Sequence, residues 1–201
     1  MLAPRPGLTG PAVVLASASP RRRALLAHVC DFTVRPSAVE ERLPPGPPAD
    51  AAVGLALAKA RAVAAEVPAA VVLGADTIVV VDEEILCKPR SPADAVRMLR
   101  RLRNRPHEVI TGVAVVQGRP PREASAAVHT RVTMRDYADA EIEAYVASGE
   151  PLDKAGAYAV QEAGARLVAR VDGCYTNVVG LPVSTARALL ASFGVSVRPA
   201  P

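Results

Sequence analysis

The sequence predicts an α/β domain built on a mixed sheet, and three observations carry that expectation. Short apolar runs such as Val71–Leu73 and Val109–Val116 read as buried strands. Between them lie stretches with apolar residues at helical spacing, such as Ala95, Met98, Leu99 and Leu102. The two kinds of segment do not alternate regularly, so a plain βαβ array is not expected.

Taken in order, Val13–Ala16 is a short buried-type strand, and Ser17-Ala18-Ser19-Pro20 turns it into a helix over Arg21–Val29. Ser19 is placed as N-cap, because its oxygen can accept from a free first-turn N–H, and Pro20 suits the first helical position. Glu40–Pro48 is rich in proline and charge and reads as an exposed loop, followed by a long alanine-rich helix capped by Asp50 and reaching Glu66. Val71–Cys87 reads as strand, turn at Asp82-Glu83-Glu84, strand. Ser91-Pro92-Ala93-Asp94 opens the next helix with a cap, a first-position proline and an acidic third position. Val109–Val116 and the alternating Val128–Met134 are strands, and Ile142, Tyr145 and Val146 mark a helix. Two short strands, Ala157–Val160 and Leu167–Val171, precede a last helix with core face Val183, Ala186, Leu190 and Phe193, closed by Gly194. Residues 1–11 read as a flexible N-terminal extension and residues 12–197 as one domain.

The chain has 201 residues, half of them hydrophobic, which is enough to bury a core. A net charge of +4, with two Phe, four Tyr and no Trp, fits a small anionic ligand better than nucleic acid, which calls for clustered basic charge and stacking aromatics. Three scattered cysteines argue against a disulfide framework or structural zinc and for a reducing, cytoplasmic setting. No segment reaches the roughly 18 uninterrupted apolar residues of a membrane span.

The dinucleotide and P-loop fingerprints and the G-x-S-x-G elbow are absent, and His28, His107 and His129 lack partners at ligand spacing. What remains is carboxylates, arginines and lysines, the groups used in phosphate chemistry through metal and water. Two places concentrate them. The turn at Ser17–Arg23 offers backbone N–H groups at a helix start, hydroxyls and three arginines, a candidate phosphate cradle. Asp76, placed where the Val71–Leu73 strand runs out, is expected to face Lys88 across a small gap, with the carboxylate holding metal or orienting water and the lysine neutralising phosphate. A strand-end Asp is as often a mere turn former.

Five motifs stand in order: Val14-Leu15-Ala16-Ser17-Ala18-Ser19-Pro20-Arg21-Arg22, Gly74-Ala75-Asp76-Thr77, Lys88-Pro89, Asp153–Gln161, and Asn177-Val178-Val179-Gly180-Leu181-Pro182. Together they resemble the Maf family of nucleoside triphosphate pyrophosphatases. The resemblance implies a curved mixed sheet flanked by helices, with two lobes around a central cleft, and a homodimer. It implies hydrolysis of a nucleoside triphosphate to monophosphate and diphosphate with Mg²⁺ or Mn²⁺, a housecleaning activity on the nucleotide pool. Asp76 would accept the proton of the attacking water and share the metal with Glu41. Ser17, Arg21 and Arg22 would hold phosphate oxygens, and Lys59 and Lys88 would neutralise them. Arg21, Thr77 and Gln161 form the combination of the dTTP/UTP branch, where the branch acting on methylated GTP shows an aromatic, Gln and Glu. A glutamine amide can both donate to and accept from a uracil or thymine edge. Glu162 departs from the family pattern, which has glycine after the glutamine.

Other readings stay open on the sequence. The same pocket could serve a non-catalytic nucleotide sensor regulating cell division, or a pyrophosphatase for methylated purine nucleotides. The arginine clusters alone would suit a weak nucleic-acid binder, whose retention would fall steeply with salt.

Overall fold

The computed structural model describes residues 10–199, so the predicted extension over residues 1–11 lies almost wholly outside the described residues. A mixed sheet is flanked by helices. Strands β1 (Val13–Leu15), β2 (Thr33–Val34), β3 (Val71–Val81), β5 (Pro106–Gln117), β6 (Arg122–Met134) and β7 (Val168–Gly173) lie in the order β2-β1-β3-β5-β6-β7, and β4 (Glu84–Leu86) pairs with the end of β3. β1 runs parallel to β2 and β3, and the remaining pairs are antiparallel.

Where local chemistry is strong, the elements fall where the sequence places them. Helix α1 (Pro20–Ala27) is capped by Ser19, whose oxygen accepts from the Arg22 N–H at 3.4 Å. Helix α3 (Pro92–Leu102) is capped by Ser91, which accepts from the Asp94 N–H at 3.1 Å. The β3–β4 turn puts Asp82 and Glu83 at positive φ, the geometry of a tight hairpin. Helices α4 (Asp139–Ala147) and α6 (Val183–Ser192) also form, with Gly194 at φ 75° just past α6.

Four expectations are corrected. Strand β3 runs on to Val81, so Asp76 lies inside a strand and is buried, because pairing with β5 continues through Asp76↔Gly112 to Val80↔Glu108. Helix α2 (Pro48–Glu66) begins before Asp50, which sits in the first turn and makes no cap bond. Ala157–Val160 is not a strand but a 3₁₀ turn running into extended chain. Helix α1 ends two residues early, at Ala27. β2 and the short helix α5 (Tyr175–Val179) carry too few residues for a readable period.

Alternation along β3 divides the core. Val72 and Ile78 point toward α2, where they meet Ala56, Ala60 and Ala52. On the opposite face, Val71, Leu73 and Ala75 join a core with Leu26 of α1 and Leu190 of α6, while Val79 and Val81 join another with Leu99 of α3 and Ile142 of α4. These two cores are the two lobes, and Thr77 falls between them.

α2 lies almost directly on the sheet backbone. A Cβ on Gly74 would stand 2.4 Å from the Ala56 carbonyl oxygen, and one on Gly112 would stand 2.4 Å from the Ala52 carbonyl carbon. Only glycine permits that approach, since the obstacle is backbone and cannot rotate away. Gly112→Ala is therefore expected to destabilise the fold by about 2 kcal/mol through overpacking, a fall of roughly 4–8 °C in Tm by circular dichroism. An unchanged Tm would show that α2 is not seated this closely.

Candidate active site

The close seating of α2 sets up the first half of the site. Gly74 and Asp76 share the β3 face under α2, and Lys59, one turn beyond Ala56, reaches down to the Asp76 carboxylate. The Lys59 Nζ to Asp76 Oδ1 distance is 2.8 Å, and both side chains are nearly buried. The same ammonium donates to Glu41 Oε1 at 2.9 Å, and Glu41 Oε2 accepts from Lys88 at 2.6 Å. Asp76, Lys59, Glu41 and Lys88 thus form a chain of alternating charge. Partial burial would push the Glu41 carboxyl up, but hydrogen bonds from Lys88 and Lys59 prevail and bring it down to about 2. The expected facing of Asp76 and Lys88 is thereby corrected: the carboxylate meets Lys59 directly, and Lys88 joins it only through Glu41.

The second half lies on the other face of β3. Thr77 Oγ1 accepts from Arg22 Nη2 at 3.0 Å, the Gly180 carbonyl accepts from Arg22 Nε at 2.8 Å, and Ser17 Oγ accepts from Arg22 Nη1 at 3.4 Å. Burial pulls the Arg22 pKa down while Asp76 and Glu41 pull it up. Arg21 pairs with Asp153 at 3.5 Å, and Asp153 also accepts from the buried Lys154 at 2.7 Å. Burial would push the Asp153 carboxyl up, but the Lys154 hydrogen bond leaves it below its ordinary value.

Both halves open on one cleft of about 340 Å³. Ser17, Arg21, Arg22, Glu41, Asp76, Thr77, Lys88 and Gln161 line it, and Lys59 sits behind Asp76 and Glu41. Val79, Val109 and Val178 add apolar lining to it. Glu162, next to Gln161, has φ 58°, the left-handed region where glycine is at ease, so the departure from the family pattern keeps the glycine-type turn in place. Among the described residues no group of three or more His, Cys, Asp or Glu converges. In the cleft, Asp76 and Glu41 meet at Lys59.

Sequence reasoning gave no role to Thr111, Asn177 or Lys154, all buried polar residues beside this cleft. Thr111, a polar residue inside the run Val109–Val116, and Asn177, at the head of an otherwise apolar motif, were the available signals.

The family model described as Maf-like protein matches residues 12–193. Among curated proteins, the dTTP/UTP pyrophosphatase of Moorella thermoacetica is 56% identical over 92% of this chain and 96% of its own length. The dTTP/UTP pyrophosphatase of Gloeobacter violaceus is 52% identical over 90% of this chain and 95% of its own. That of Dictyoglomus turgidum is 47% identical over 92% and 97%. With the fold, the five motifs and these relatives in agreement over nearly its whole described length, the chain belongs to the Maf-like protein family.

Proposed function

We propose that this protein is a nucleoside triphosphate pyrophosphatase that prefers dTTP and UTP. The observation that carries the reading is the convergence of a buried carboxylate, Asp76, with Arg22, Arg21 and Lys88 on one cleft that Gln161 also lines. Relatives bearing the name dTTP/UTP pyrophosphatase, at 47–56% identity, support the same substrate class. The three unpaired cysteines favour a cytoplasmic setting.

Phosphoryl transfer asks a protein mainly for positioning and charge stabilisation. Arg22, gripped by Ser17, Thr77 and Gly180, takes the phosphates at the start of α1, with Arg21 and Lys88 on either side. Asp76 Oδ1 is held by Lys59, which leaves Oδ2 for the water. The water oxygen bonds to a phosphorus of the α–β bridge as the bridging P–O bond breaks. Asp76 takes the water proton, and the bond's electron pair leaves with the departing phosphate group. Gln161 reads the base through its amide, in a cleft to which Val79, Val109 and Val178 add apolar lining.

The residues present fit a hard divalent cation. Mg²⁺ commonly takes one or two carboxylates and completes its shell with water and substrate phosphate, and Asp76 and Glu41 would supply those carboxylates. Bound there, it would neutralise charge on the triphosphate.

The purified protein is expected to release pyrophosphate and monophosphate, and EDTA is expected to abolish turnover. Orthophosphate and a nucleoside diphosphate as products would overturn the reading.

Asp76→Asn keeps the shape and removes the proton acceptor. Its kcat is expected to fall about 10²–10⁴-fold while nucleotide binding by calorimetry stays within roughly tenfold. Near-wild-type kcat would reduce Asp76 to a structural partner of Lys59.

Wild type should turn over dTTP and UTP with higher kcat/KM than ATP or methylated GTP. Gln161→Ala should weaken that discrimination by on the order of 1–3 kcal/mol, read as kcat/KM ratios across the panel. An unchanged ranking would remove Gln161 from base reading.

A further inference from the structure

Arg22 is held by a closed ring of hydrogen bonds whose direction can be derived. The Asn177 backbone carbonyl can only accept, so in the 3.1 Å contact between them Thr111 donates. A hydroxyl has one hydrogen. With Thr111's committed, Thr77 must be the donor in its 2.9 Å contact with Thr111. The Arg22 guanidinium can only donate, so Thr77 accepts from it while its own hydrogen points to Thr111. The ring closes through the loop after α5: the Asn177 carbonyl also accepts from the Gly180 N–H at 3.0 Å, and the Gly180 carbonyl accepts from Arg22 Nε.

The far side of this ring is rigid. Thr111 and Asn177 have no solvent exposure, and the Asn177 amide donates to the Val109 carbonyl at 3.0 Å and to Thr130 Oγ1 at 2.9 Å. Gly180 has φ 122°, open to glycine and strained for other residues, which suits the carbonyl's turn toward Arg22. A guanidinium carries five N–H groups. Gly180, Ser17 and Thr77 engage three, so the guanidinium faces the cleft with two for an anion.

We propose that Thr111 is a positioning residue of the triphosphate site. By committing its hydrogen to Asn177 it can only accept from Thr77, which fixes the Thr77 hydroxyl with its hydrogen turned away from Arg22 and a lone pair toward it, and this holds the guanidinium in register for phosphate. The same polarity leaves Thr77 only a lone pair to offer a ligand. The inference rests on reading the cleft as a polyphosphate site, and it assigns work to Thr111 and Asn177, which the reaction chemistry leaves without any.

The test measures binding of inorganic tripolyphosphate by calorimetry, beside kcat and KM for dTTP. Thr111→Val keeps the shape and deletes the hydroxyl. It should weaken tripolyphosphate binding about tenfold and raise KM more than it lowers kcat, and Thr111→Ser should restore both to within roughly threefold. In an Arg22→Ala background, Thr111→Val should add less than about twofold, because Thr111 acts through Arg22. If the Val variant does not fold, Thr111→Ala is measured in the same way. Wild-type affinity in the Val variant, or losses that multiply with Arg22→Ala, would overturn the proposal, as would a wild-type protein that does not bind tripolyphosphate. A wild-type protein that binds tripolyphosphate in a Thr111-dependent way without releasing pyrophosphate from dTTP would keep this inference and sink the proposed reaction.

Discussion

The contact on which the site depends is backbone against backbone: helix α2 lies on β3 and β5 with glycine beneath it. Gly74 under Ala56 and Gly112 under Ala52 leave no room for even a methyl group between the layers. That closeness, not the lysine's length alone, brings Lys59 to 2.8 Å from Asp76. A buried charge is tolerated only when it is paired: Lys59 gives the Asp76 carboxylate its partner, and Glu41 gives Lys59 a second one. The alanines of α2 have the same cause, since larger side chains would lift the helix and pull the ammonium away.

A second constraint follows from strand alternation. Neighbouring residues in β3 face opposite sides of the sheet, so Asp76 goes to α2 and Thr77 to α1. One short strand segment therefore serves two layers at once. On the Thr77 side the apolar lining is interrupted between the two cores, and the gap is filled by Thr77, Thr111, Asn177 and Arg22. The cleft sits where that polar belt surfaces, which explains why the lobes do not merge into a single apolar core.

The charges in the cleft satisfy one another: Glu41 joins Lys59 to Lys88, and Asp153 joins Arg21 to Lys154. Under the proposed function, polyphosphate entering such a cleft would exchange with these acids for partners already in place. The organisation precedes the ligand, which is the condition under which fixed charges help most in phosphoryl transfer.

The sequence by itself determined what depends on near neighbours. Ser19 and Ser91 cap their helices through bonds three residues long, the Asp82–Glu83 turn is a local backbone choice, and the ordered motifs marked out the residues of one cleft. Asp76 was legible as a candidate site carboxylate but not as a mid-strand residue, because the apolar run breaks at Gly74 while pairing with β5 carries the strand through the break. Only the tertiary structure decided the partners. Lys59 meets Asp76 across 17 positions of chain and Glu41 across 18, and Thr111 meets Thr77 across 34 and Asn177 across 66. Neither pattern nor propensity encodes such distances. They arise from how closely α2 seats on its glycines and from which face of β3 each side chain takes, and both are fixed only once the layers have packed.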